Sequence, residues 1–357
     1  MNNKKSPNLV VLYIFAAIGA LAVIVLLAVG VLALIQGAKD KLSGKLTAVE
    51  AVNDIDNSSI ETDSMQNENQ DIALANENAA GNASAPEESP EETVYGDSEF
   101  QIVFLGDSIL DNVRDDTGIC NMIGKSLEAT VYNCAVGGIA ASYADGETVS
   151  PDKAGLYGVT IAKVIAGEWP VSCLEPYGNL AATKVIKEHM NDFKKTDLFV
   201  IEYGLNDFMT GRFKSFEESE NNVHCFVGAM REIVDTIQNA YPDAQIILTD
   251  MSYVRYYRPN GEFIGDTYGI NEGQGTPYEY SQLIQYVAGQ KGCILFPIDK
   301  QGVSEDNADS TLIDGIHMNE FGRYLYAANL TRFIHTHIFN EETSYDVITD
   351  YMPDFWH

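Results

Sequence analysis

The chain has 357 residues, 45% of them hydrophobic, and a formal net charge of −30 from 52 acidic and 22 basic side chains. A field of that sign repels polyanions, so nucleic acid is excluded as a partner on bulk charge, while neutral or cationic substrates are tolerated. The length and apolar content suffice for a sizeable core without a disulfide framework, and five scattered cysteines, an odd number without CxxC spacing, supply none.

Residues 1–8 form a short tail containing Lys4 and Lys5. Residues 9–38 then run without a charge, mostly Leu, Val, Ile and Ala. A bilayer needs about 20 such residues, and a cleaved signal peptide has an apolar core of only about 7–15. The run therefore predicts a membrane-spanning signal anchor. Lys39, Lys41 and Lys45 follow it, so the charge balance does not itself fix orientation; a short basic N-terminus inside predicts an extracellular C-terminal domain. Residues 39–99 read as an acidic, disordered linker. From residue 46 onward this segment holds fourteen Asp or Glu and no Lys or Arg, too little apolar surface to offset the entropy of ordering.

From residue 100 to 340 the pattern alternates, leaving 341–357 as a tail. Gln101–Leu105, Thr130–Ala135, Leu198–Tyr203, Gln245–Met251 and Cys293–Ile298 read as strands, rich in β-branched and aromatic residues. Leu180–Phe193, Phe216–Ala240, Tyr278–Gln290 and Glu320–Phe339 read as helices; Phe226, Met230, Ile233, Val234 and Ile237 form a core-facing stripe. Near-continuous apolar strands separated by helices imply a mostly parallel five-stranded sheet in a three-layer α/β/α architecture. Two stretches, 142–178 and 253–280, read as long loops. The second holds Tyr253, Arg255 and Tyr256 and is predicted to touch substrate, since tyrosines offer a sugar an apolar face and a hydroxyl.

Chemistry concentrates where strands end. Gly106-Asp107-Ser108 closes the first strand, Gly137-Gly138 follows the second, and Gly204-Leu205-Asn206-Asp207 follows the third. Asp314-Gly315-Ile316-His317 precedes the last helix. A serine hydroxyl becomes nucleophilic when an imidazole takes its proton, and the imidazole needs a carboxylate to fix its tautomer. Ser108, His317 and Asp314 supply that set. Leu110 stands where G-x-S-x-G has its second glycine, which argues against an α/β-hydrolase elbow. Asp107 and Asp207 have two readings, shaping their loops or touching substrate. No His/Cys/carboxylate cluster has zinc spacing, and no cofactor is called for.

Four such blocks in this order resemble the SGNH (GDSL-type) hydrolase superfamily. The resemblance covers roughly residues 100–340 and implies a flavodoxin-like fold. It makes Ser108 the nucleophile, His317 the base and Asp314 its orienter. The oxyanion hole is then formed by the backbone N–H groups of Ser108 and Gly138 and the Asn206 amide. Spacing from Asn133 favours Gly138 over Gly137 as donor. The expected activity is removal of a small acyl group, acetate foremost, from a cell-surface or extracellular carbohydrate or small ester. Three other readings remain open: an O-acyltransferase served by a separate acyl-donor membrane protein, a lipid esterase or lysophospholipase, and a catalytically silent envelope-binding module.

Overall fold

A computed structural model describes residues 99–341 except 216–220, Pro259, Glu272 and Gln274. The anchor at 9–38, the linker up to residue 98 and the tail from 342 onward lie outside the described residues. Among the described residues no helix is long and apolar enough to cross a membrane.

Five strands form the central sheet: β1 (Gln101–Gly106), β2 (Thr130–Asn133), β3 (Leu198–Glu202), β4 (Gln245–Thr249) and, after a separate hairpin, β7 (Ile294–Phe296). All four pairings are parallel, in the order β2-β1-β3-β4-β7. Alternate residues of a strand face opposite sides of a sheet, and here both sides are buried. Val103, Leu105, Phe199, Ile201 and Leu248 enter one core; Ile102, Phe104, Leu198, Val200 and Ile247 enter the other. That double burial is why these strands read as unbroken apolar runs.

The helices, in chain order, are α1 (Ser108–Asp111), α2 (Ile119–Leu127), α3 (Gly158–Ile165), α4 (Ala181–His189), α5 (Leu205–Met209), α6 (Phe226–Ala240), α7 (Pro277–Lys291), α8 (Ala308–Thr311) and α9 (Glu320–His337). Residues of α3, α4, α6 and α7 cover the first core, and those of α2 and α9 the second.

Several boundaries differ from the sequence reading for physical reasons. The predicted Leu180–Phe193 helix stops at His189, and Asp192–Lys195 forms a separate 3-10 turn. That turn delivers fully buried Phe193 edge-on to Tyr132, with ring centroids 5.5 Å apart. The helix expected from Phe216 starts at Phe226. Asn222 turns the chain just before it, accepting from the backbone N–H groups of His224 and Cys225. This turn lies so close to α6 that a Cβ on Gly228 would fall 2.1 Å from the Asn222 carbonyl oxygen. The 142–178 stretch is not one loop. It contains α3, where Gly158, Val159, Thr160, Ile161, Ala162, Val164 and Ile165 are all buried, so no polar face marks it as a helix. Within 253–280 an antiparallel hairpin forms, β5 (Arg255–Tyr257) with β6 (Phe263–Asp266), irregular between Tyr256 and Tyr257.

After β1 the chain goes to β2 on one side and then crosses to β3 on the other. The crevice past the carboxyl ends of β1 and β3 is therefore the topological switch point, where open α/β sheets take ligands. Beside it, the loop from Leu312 to Asn319 runs between α8 and α9, and these two helices touch at Gly322. A Cβ there would lie 2.3 Å from the Thr311 carbonyl oxygen. Gly322→Ala must separate the helices and is expected to cost about 1–3 kcal/mol, the usual toll of overpacking, as a lowered urea midpoint.

Candidate active site

β1 ends at Gly106, where a Cβ would sit 2.9 Å from both the Glu202 carbonyl oxygen and Leu110 Cδ1. Only glycine lets the two strand ends approach this closely. Asp107 caps the next turn, its Oδ1 accepting from the Ile109 N–H at 3.0 Å. Ser108 thus opens α1, a position whose N–H makes no intrahelical bond.

β2 leads to the two glycines. Asn133 anchors this turn, donating to the Leu110 carbonyl and accepting from the Ala135 N–H. Arg114 donates to the carbonyls of Asn133 and Ala135 and pairs with Asp111. Asp111 Oδ2 in turn accepts from the Gly137 N–H at 2.6 Å. That bond engages one member of the glycine pair. Gly138 follows at φ +78°, exposed, with open space where a Cβ would be, and its N–H remains the one open to a ligand.

β3 continues through Gly204, at φ +132°, into α5. Asn206 Nδ2 donates one hydrogen to Asp107 Oδ2 at 2.9 Å; an amide nitrogen has a second to offer. Asp207 is fully buried and accepts from the N–H groups of Ala141 and Ser142 and from Ser142 Oγ, at 2.7, 3.0 and 2.5 Å.

The fourth segment supplies the imidazole. Asp314 Oδ1 accepts from the N–H groups of Ile316 and His317, and Oδ2 lies 2.7 Å from His317 Nδ1. His317 Nε2 lies 3.0 Å from Ser108 Oγ. Gly315 makes the turn at φ +92°, pressed so closely on the hairpin that a Cβ would fall 2.4 Å from the Arg255 carbonyl oxygen; the Arg255 N–H donates to the Gly315 carbonyl. Burial works to raise the Asp314 pKa, but the His317 hydrogen bond and charge, helped by the two backbone N–H groups, outweigh it and hold the carboxyl below its ordinary value.

Ser108, Gly138, Asn206, Asp314 and His317 therefore converge on one face. The remaining predicted contacts do not. Asp107 and Asp207 are both 0% exposed, so neither meets substrate; Asp107 fixes its own turn and Asn206, and Asp207 ties α5 to the backbone at Ala141 and Ser142. Tyr253 and Tyr256 are likewise interior. Tyr253 donates its hydroxyl to Asp266 at 3.0 Å, and Tyr256 packs on Phe208 with centroids 5.7 Å apart. Arg255 pairs with Asp309 and donates to the Glu305 carbonyl, which seats the hairpin on α8 and the chain just before it. Asp107, Asp207, Tyr253 and Tyr256 thus support the site from the interior.

Sequence reasoning missed Glu202, 1% exposed at the end of β3, with Oε2 3.4 Å from the Asp107 N–H nitrogen. A charged residue ending an otherwise apolar buried strand was its signal. Burial raises the Asp107 pKa to about 6, against the opposing pull of the Ile109 N–H, the Glu202 hydrogen bond, the His317 charge and Asn206. Burial and then the neighbouring Asp107 charge push Glu202 well above its ordinary value.

The family model described as GDSL-like lipase/acylhydrolase matches residues 104–324. No curated protein matches the chain. One solved structure, 16% identical, superposes at a TM-score of 0.50 over 66% of this chain and 96% of that one; at this identity the likeness is one of fold. A protein from Lactobacillus plantarum is 14% identical over 67% and 97% of the two chains at a TM-score of 0.45. A possible lipase from Chitinophaga pinensis is 14% identical over 66% and 98% at 0.41.

A folded-state pKa raised to about 6 makes the protonated Asp107 the better-tolerated form, so stability falls as pH rises from about 4 to about 6 and is level above. Asp107→Asn cannot ionise. Its stability relative to the parent chain should rise across that window, by on the order of 3 kcal/mol, in urea unfolding followed from pH 4 to 8.

Proposed function

This chain belongs to the GDSL-like lipase/acylhydrolase family and is an ester-bond hydrolase; on that premise we propose that it removes a small acyl group, acetate foremost, from a carbohydrate through an acyl-enzyme on Ser108. The observation that carries this reading is the unbroken line from Ser108 Oγ through the His317 ring to the Asp314 carboxylate, at 3.0 and 2.7 Å.

In the proposed cycle His317 Nε2 takes the serine proton as Oγ attacks the ester carbonyl. Asp314 keeps the other ring nitrogen protonated and stabilises the imidazolium. The carbonyl oxygen becomes an oxyanion, met by the N–H groups of Ser108 and Gly138 and the second hydrogen of Asn206 Nδ2. A fixed donor of this kind is worth about 3–4 kcal/mol in hydrolases. The imidazolium returns its proton to the leaving alcohol. Water, activated by the same ring, then frees the acid and restores Ser108.

Residues 100–357 hold 37 acidic and 17 basic side chains, a balance suited to a neutral acylated sugar rather than a polyanion. In the same reading the uncharged run 9–38 anchors the chain in the cell membrane, the catalytic domain outside.

With the full-length chain, p-nitrophenyl acetate should turn over faster than longer acyl esters. An organophosphonate probe should label Ser108, and Ser108→Ala should abolish both signals. Labelling that survives this change refutes the assignment; labelling with little hydrolysis indicates transfer to a sugar hydroxyl instead of water. Asp314→Asn should lower kcat by about 10³–10⁴ with KM little changed, since it leaves the wrong tautomer.

A further inference from the structure

Behind the nucleophile stands a carboxyl that the proposed cycle does not use. Glu202 lies directly across from Gly106 in the β1–β3 register. The absence of a side chain on Gly106 makes room for it, since a Cβ there would come within 3.2 Å of Glu202 Oε2. Its Oε2 lies 3.4 Å from the Asp107 backbone nitrogen, which sets the two carboxyls side by side. Two carboxylates so close and so closed to water do not both ionise; one proton stays within the pair.

The surroundings decide which member keeps it. Asp107 has the groups that favour an anion: the Ile109 N–H on Oδ1, the Asn206 amide on Oδ2, and the His317 charge nearby. Glu202 has the long contact to the Asp107 N–H and otherwise faces the Asp107 charge itself. The other titratable groups facing the pair are Tyr203, next along the chain from β3, and Tyr326 on α9, both phenols that burial holds neutral.

We infer that Glu202 is a positioning residue: as a neutral acid it donates a hydrogen bond to Asp107, and the Asp107 anion so maintained aims the Asn206 amide at the oxyanion. This rests on the assignment of Asn206 to the oxyanion hole. The proton stays on Glu202 throughout the cycle. Its work is to remain there, which lets Asp107 be charged where water cannot reach it. Through the Asn206 bond that charge fixes the amide with its second hydrogen outward.

The test uses two variants of the full-length chain. Glu202→Gln keeps a neutral hydrogen-bond donor of the same shape, whereas Glu202→Leu keeps the bulk and removes the donor. Glu202→Gln should retain kcat within about fivefold. Glu202→Leu should lose about a hundredfold in kcat with KM within about twofold, near the low end of what removing an oxyanion donor costs. Without a donor the Asp107 pKa rises, so the acid limb of kcat should move to higher pH in Glu202→Leu and not in Glu202→Gln. A direct readout is infrared absorption at pH 7, in which a protonated-acid carbonyl band of the parent chain should vanish in Glu202→Gln. That band decides the matter even if Glu202→Leu does not fold. Equal kcat and equal acid limbs in the two variants, or a band absent from the parent or unchanged in Glu202→Gln, would overturn the inference. Loss of probe labelling at Ser108 in the parent would instead overturn the acyl-enzyme reading.

Discussion

Asp107 has no access to water, so every hydrogen bond its carboxylate needs must come from the fold. Those bonds define the catalytic face. One oxygen takes the Ile109 N–H and fixes the turn that presents Ser108; the other takes Asn206 and ties the end of β3 to the end of β1. Parallel pairing of the two strands brings Gly106 level with Glu202, and the missing side chain at Gly106 lets the loops beyond them meet. A side chain there would run into the Glu202 carbonyl and Leu110 and force the two strand ends apart. Ser108 and Asn206 are thus held by a single buried group.

The base is held on different terms. Asp314 organises its own loop, taking the two following N–H groups on one oxygen and the imidazole on the other. This local motif does not by itself place the ring against Ser108. Placement comes from outside, from the hairpin carbonyl and N–H of Arg255 around Gly315 and from the packing of α8 on α9 at Gly322. The hairpin predicted to meet substrate is therefore also a clamp. Tyr253 and Tyr256 are turned inward, Tyr253 onto Asp266 of the hairpin and Tyr256 onto Phe208 of α5.

That inversion shows where sequence reasoning succeeds and where it stops. The five sheet strands were legible because burial on both faces leaves uninterrupted apolar runs. The five converging residues were legible because each follows a strand end or precedes a helix in a short polar block. The α3 helix was not, since a helix buried nearly all round lacks the alternation that marks a helix. Composition tells that tyrosines gather between 253 and 280 but not which side they face. Glu202 was passed over for a related reason: a lone acid closing an apolar strand looks like the strand's boundary until its neighbour across the sheet is known to be Gly106.

The two carboxyls, Asp107 and Asp314, solve one electrostatic problem from opposite sides. The imidazolium formed during acyl transfer needs negative charge near it, while the oxyanion formed at the same moment needs negative charge kept away. Asp314 meets the first need at direct contact, held ionised by the ring it orients. Asp107 also favours the imidazolium by charge, yet it stands behind an oxyanion donor, where an uncompensated anion would oppose the reaction. A proton retained on Glu202 eases this conflict, because a hydrogen bond from behind draws the Asp107 charge away from the reacting carbonyl while leaving its grip on Asn206. In a site of low dielectric such coupled bonds strengthen one another. The buried pair strains the fold for a geometry that catalysis needs, and a strand end closed by glycine is what brings the two acids together.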